Sequence, residues 1–170
     1  MMKIIFLDMD GVINNSNTRA PKDVKFGEKE WWISQIETEL VSRLNEVIEK
    51  TEAKVVISSS WREYWHPLEI QEMLKERGFK GKVIGRTPRR IEIDHELVGD
   101  KIGPKLSRIY PRGLEIKQWL IQNRKNYKDK IVIFDDCEDM VDLSDQYIKT
   151  SYKTGLTESD VNKAITILNE

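Results

Sequence analysis

Three stretches set oxygen-bearing side chains directly after apolar runs. In "KIIFLDMDGVINN", residues 3–15, the run at 4–7 leads into Asp8, Asp10 and Gly11. In "KVVISSSWRE", residues 54–63, it leads into Ser58, Ser59 and Ser60. In "KIVIFDDCED", residues 130–139, it leads into Asp135 and Asp136. Carboxylates that converge repel one another and stay ionised only beside a cation. The chain has two histidines and one cysteine, Cys137, so any metal is expected to take oxygen ligands. That donor set suits Mg²⁺, which favours one or two carboxylates together with waters and phosphate oxygens.

For these groups to meet, the three runs must be strands whose ends lie side by side. Strand and helix signals alternate along the chain, which predicts an α/β domain with a mostly parallel sheet. Ligands of such sheets bind in the crevice outside the carboxyl ends of the strands. Strands are expected at 3–7, 54–57 and 130–134, with short ones in "KVIG" (82–85) and "DQYIKT" (145–150). "RRIEIDHELVG", residues 89–99, alternates with period two and predicts a hairpin or edge strand. Ser34-x-x-Glu37 has capping-box spacing, and Ile36, Leu40, Leu44, Val47 and Ile48 then share a helical face. Further helices are expected at 67–77 and 113–123, and after Thr157, where Val161, Ala164, Ile165 and Leu168 share a face.

The three strand ends resemble motifs of the haloacid dehalogenase (HAD) superfamily. "FLDMDGV" is similar to motif I, "VVIS" to motif II, and "IVIFDD" to motif IV, in order and over nearly the whole chain. "SSSWRE", "RGLEIKQWL" and "FDDCEDM" resemble, more narrowly, the small HAD domains of RNA-repair-associated and phage-type proteins. Those are related to the phosphatase domain of polynucleotide kinase-phosphatases. The resemblance implies a Rossmann-like three-layer α/β/α fold with a small cap or none. It implies one catalytic domain over 1–170, with small insertions at 14–32 and 86–111.

The family's roles carry over residue by residue. Asp8 would be the nucleophile that forms an aspartyl-phosphate, and Asp10 the acid and then the base. Ser58, or Ser59 or Ser60 if the strand runs longer, would bond the transferring phosphoryl group. Asp8, Asp10, Asp135 and Asp136 would hold Mg²⁺. The family's motif III cation is expected at Arg112, with Lys117 and then Lys105 as alternatives. Arg62 is expected either to touch the substrate or to make a helix-start salt bridge. Glu138 and Asp139 are read as first-turn helix charges, and Trp61, Trp65 and Trp119 as packing.

Net charge is −1, but residues 80–130 carry 14 Lys and Arg against 6 Asp and Glu. This balance of +8 is expected either to be a solvated face or to wall a phosphate-bearing substrate. Trp31 and Trp32 are expected to stack a base or to staple a helix, and Arg86, Arg89 and Arg90 to contact phosphates or block an edge. No run approaches the roughly 18 apolar residues of a membrane span, and no secretory signal pattern is present. A lone cysteine fits a cytoplasmic, reducing setting. The expected partner is a phosphorylated nucleotide or nucleic-acid end, because a small cap leaves the site open. A small-molecule phosphatase and an idle phosphate-binding module are the alternatives, and the oligomeric state stays open.

Overall fold

The computed structural model describes residues 2–89, 92–94, 111–123 and 130–170. Its strands are β1 Ile4–Leu7, β2 Lys54–Ile57, β3 Val83–Arg86, β4 Ile131–Asp135 and β5 Tyr147–Lys149. Its helices are α1 Lys29–Ser34, α2 Thr38–Thr51, α3 Pro67–Glu76, α4 Arg112–Gln122 and α5 Glu158–Asn169. The strands form one five-stranded sheet in the order β3-β2-β1-β4-β5, every pairing parallel. Strand β1 is central, and the chain order reverses across it. That is the switch point where open α/β sheets bind their ligands.

Period-two alternation sends successive residues of each strand to opposite faces. Ile5, Leu7, Val55, Ile57, Val132 and Phe134 join the core beneath α1, α2, α3 and α5. Ile4, Phe6, Val56, Ile131 and Ile133 join a second core with Ile116, Trp119 and Leu120 of α4. The strands are apolar on both sides because both faces are covered, as parallel sheets require. The result is the three-layer α/β/α fold that the sequence predicts. Helix α3 begins at Pro67 with His66 and Glu69 forming a capping box, and α5 begins with the same device made by Thr157 and Asp160. No helix among the described residues is long and apolar enough to cross a membrane.

The helix expected to start at Ser34 is two helices. The hydroxyl of Ser34 donates to the carbonyl of Trp31 at 2.6 Å, closing α1 instead of opening α2. The chain then turns, the N–H of Glu37 donates to the carbonyl of Ile13 at 2.9 Å, and α2 starts at Thr38 with no side-chain cap. A long-range backbone bond thus overrides the local capping-box spacing. Trp31 and Trp32, expected in an irregular insertion, lie in α1. Most of the 89–99 hairpin and of the 86–111 insertion, with Arg90, His95 and Lys105, lies outside the described residues.

Leu44 is fully buried between the helical layer and the sheet. We predict that Leu44→Ala lowers stability by about 2–5 kcal/mol, read as a lower urea midpoint at unchanged slope.

Candidate active site

Register alone builds the centre of the site. Leu7 pairs with Ile57 on one side and with Phe134 on the other. The next residues, Ser58, Asp8 and Asp135, therefore stand in a row across three adjacent strands. The ladder runs into this row, with Ser58 N–H on Leu7 O at 2.8 Å and Asp8 N–H on Phe134 O at 3.0 Å. By alternation all three share the face of Phe6, Val56 and Ile133, which is the face that α4 covers. Arg112 is the first residue of α4.

Arg112 is consequently brought against the row. Its Nη2 lies 4.0 Å from Asp8 Oδ2, and its Nε lies 3.6 Å from Asp135 Oδ2 and 3.9 Å from Glu115 Oε2. Its Nη1 donates to the carbonyl of Ser58. Burial works against the Arg112 charge, but Asp8, Asp135 and Glu115 outweigh it and hold the guanidinium firmly protonated. Lys117, the alternative cation, pairs with Asp142 at 3.1 Å instead.

Two details of sequence let α4 come this close. A Cβ on Gly113 would stand 2.3 Å from the carbonyl oxygen of Met140, a backbone atom that cannot step aside. Asp139 then takes the start of α4, its carboxylate accepting from Arg112 N–H and its carbonyl from Gly113 N–H, both at 3.0 Å. Asp139 was expected in the first turn of its own helix. It complements the dipole of a different one, from a loop.

The turn after β1 fixes Asp10. Gly11 has φ +74°, and a Cβ there would lie 2.5 Å from Asp136 Oδ2, so only glycine lets the two acidic segments approach. Asn14 donates to Asp10 Oδ1 at 2.8 Å and accepts from Gly11 N–H at 2.9 Å. The indole N–H of Trp61 donates to Asp10 Oδ2 at 3.1 Å. Trp61 was read as packing. It is core, yet its ring nitrogen orients a carboxylate 51 positions away, a pairing that no local pattern announces.

Asp8 Oδ1 accepts from Met9 N–H at 2.8 Å. Burial pushes the Asp8 carboxyl well above the usual carboxylate range, while Arg112 pulls it back and Asp135 adds to the rise. Burial likewise raises Asp135, again opposed by Arg112. Among the described residues Asp135 Oδ2 is fully buried with no hydrogen bond, and so is Ser58 Oγ. The Ser59 side chain accepts from Trp61 N–H at 3.3 Å and, beside Asp8, draws its carboxyl part of the way down. Two adjacent buried carboxylates, one with an oxygen that accepts no hydrogen bond, suit a hard divalent ion. Asp135, Asp136 and Cys137 bring ligand atoms within 4.8 Å of one another. Burial, with Asp135 and Asp136 beside it, pushes the Cys137 thiol up to about 12, which leaves the two carboxylates as the better donors for a hard ion.

Arg62 lies behind this centre. Its Nη2 lies 2.7 Å from Glu115 Oε2, both side chains buried, and its Nη1 donates to Ser59 O at 2.5 Å. Of the two readings offered by the sequence, the salt bridge is the one that occupies the guanidinium. Arg86 and Arg89 both pair with Glu92 at 3.0 Å. Trp32 is buried among Trp31, Trp61, Tyr64 and Trp65, which leaves it no face for a base.

Residues 4–161 match the family model of the HAD domain in Swiss Army Knife RNA repair proteins. No curated protein and no solved structure gives a match.

Gly113→Ala is expected to push α4 off the Met140 carbonyl, costing about 1–3 kcal/mol in thermal or urea unfolding and weakening anion binding at the Arg112 site. Arg62→Ala, which takes away the 2.7 Å partner of buried Glu115 and leaves it only Arg112 at 3.9 Å, is expected to cost about 3–5 kcal/mol in the same measurement. A mere substrate contact would leave the midpoint unmoved.

Proposed function

The chain belongs to the family of HAD domains in Swiss Army Knife RNA repair proteins, a phosphatase-like HAD group, and on that premise we propose that it is a Mg²⁺-dependent phosphatase acting on phosphorylated nucleic-acid ends. The observation that carries the proposal is the row of Ser58, Asp8 and Asp135 beneath Arg112. Asp8, Asp135 and Asp136 would hold Mg²⁺, with Asp10 beside them. When bound, the ion neutralises phosphoryl charge and keeps the carboxylates ionised.

In this reading Asp8 attacks phosphorus through one carboxylate oxygen as the bond from phosphorus to the ester oxygen breaks. Asp10 gives its proton to that leaving oxygen, and Asn14 and Trp61 hold it in place to do so. Asp10 then takes a proton from water, whose oxygen attacks the same phosphorus. The Asp8–phosphorus bond breaks, which releases inorganic phosphate and restores the aspartate. The guanidinium of Arg112, fixed by Ser58 O and Glu115, supplies positive charge to the phosphoryl oxygens. The hydroxyl of Ser58, which has no other partner among the described residues, donates a hydrogen bond to them.

The test is phosphate release from an aryl phosphate, mononucleotides, and 3′- and 5′-phosphorylated oligonucleotides, with and without Mg²⁺. We predict release that needs Mg²⁺ and that falls about a thousandfold or more in Asp8→Asn, with an oligonucleotide as best substrate. Mg²⁺ should also raise the melting temperature of the wild type, and less so that of Asp135→Asn. A folded protein that melts higher in Mg²⁺ yet releases phosphate from none of these would sink the phosphatase reading.

A further inference from the structure

A chain of aromatic rings runs from the site to the surface. Trp61, hydrogen-bonded to Asp10, packs edge-on to Trp32 with centroids 4.8 Å apart. Trp32 in turn supports Tyr64 at 5.1 Å and Trp31 at 5.3 Å, and Trp31 supports Phe26 at 4.7 Å. Trp61 and Trp32 are buried and Trp31 is half-buried, but Phe26 is 80% exposed and Tyr64 is 69% exposed. Burying such rings would contribute stability, so two large ones held open on a rigid aromatic base call for an occupant. Tyr64 is also placed by the site itself. It caps the short 3₁₀ turn Ser60–Glu63 that follows Ser58 and Ser59.

The geometry points to Tyr64, with Phe26 farther along the same run of rings, as a stacking surface for the unpaired bases at the phosphorylated end. The inference rests on the phosphatase reading and adds what recognises the substrate beyond its phosphate. A flat, exposed ring suits any base face without reading sequence, as single-strand binders require. The charge around it agrees. Arg19, Lys22, Lys25 and Lys29 are exposed on the segment carrying Phe26, against Asp23, Glu28 and Glu30, a slight basic excess along the path of a polynucleotide backbone. Trp31 and Trp32, the pair that the sequence offered for stacking, form the support beneath this surface.

The experiment compares oligonucleotides whose phosphorylated terminal nucleotide carries a base with the same oligonucleotides made abasic there, in both 3′- and 5′-phosphorylated form. For wild type, kcat/KM is expected to favour the base-bearing end about tenfold. Tyr64→Ala and Phe26→Ala should each shrink that ratio, and Tyr64→Phe should keep it. A second readout needs no turnover: tryptophan fluorescence of the Asp8→Asn protein, titrated with the same two oligonucleotides, should show tighter binding of the base-bearing one. Hydrolysis with no base preference, or a preference untouched in folded Tyr64→Ala and Phe26→Ala, overturns the stacking surface and leaves the phosphatase standing. Binding that separates the two ends without any hydrolysis does the reverse.

Discussion

Asp8 and Asp135 are two carboxylates taken out of water, and one guanidinium lies against both. Withdrawing an ion into a protein interior costs several kcal/mol, and a charge about 4 Å away returns ~4 kcal/mol at a typical effective dielectric. One Arg112 between two acids, with Glu115 drawing on the same charge, therefore leaves the balance negative. That deficit favours a further positive charge beside the cluster, and it explains the chain's investment in placing Arg112. Gly113 admits the start of α4, Asp139 holds it, and the buried Arg62–Glu115 pair stiffens its first turns from behind. Buried ion pairs are weak sources of stability, and this one supports positioning better than it supports the fold.

The sequence revealed the parts whose signals are local. Three apolar runs, each ending on oxygen-bearing residues, announced β1, β2 and β4 and the row of Asp8, Ser58 and Asp135. Parallel pairing did the rest, since strands in register must set their ends side by side. Arg112 was legible too, because a basic residue before a glycine at a helix start has few directions in which to point.

What stayed hidden joins residues far apart in the chain. Nothing near Trp61 says that its ring nitrogen meets Asp10, and nothing near Asp139 says that it caps a helix formed almost thirty residues earlier. The Ser34 spacing misled for the same reason, because the backbone bond from Glu37 to Ile13 decides where α2 begins. Arg62 offers two uses in the sequence, and its 2.7 Å pairing with Glu115, 53 residues on, is invisible there. Local patterns report on elements, and the choice among long-range partners is made by packing.

The sheet order also bears on how the molecule comes into being. Strand β1 is made first but sits in the middle, and its pairing of Leu7 with Phe134 closes a loop of most of the chain. During synthesis Asp8 leaves the ribosome long before Arg112 and Asp135 exist, so no nascent fragment can carry the assembled charge cluster. The apolar strand that leads into Asp8 must wait, one edge open, for β4. Such long-range parallel pairing is slow and exposed to wrong partners. The arrangement that unites the site at one switch point thus makes its first strand the segment most in need of protection while the protein folds.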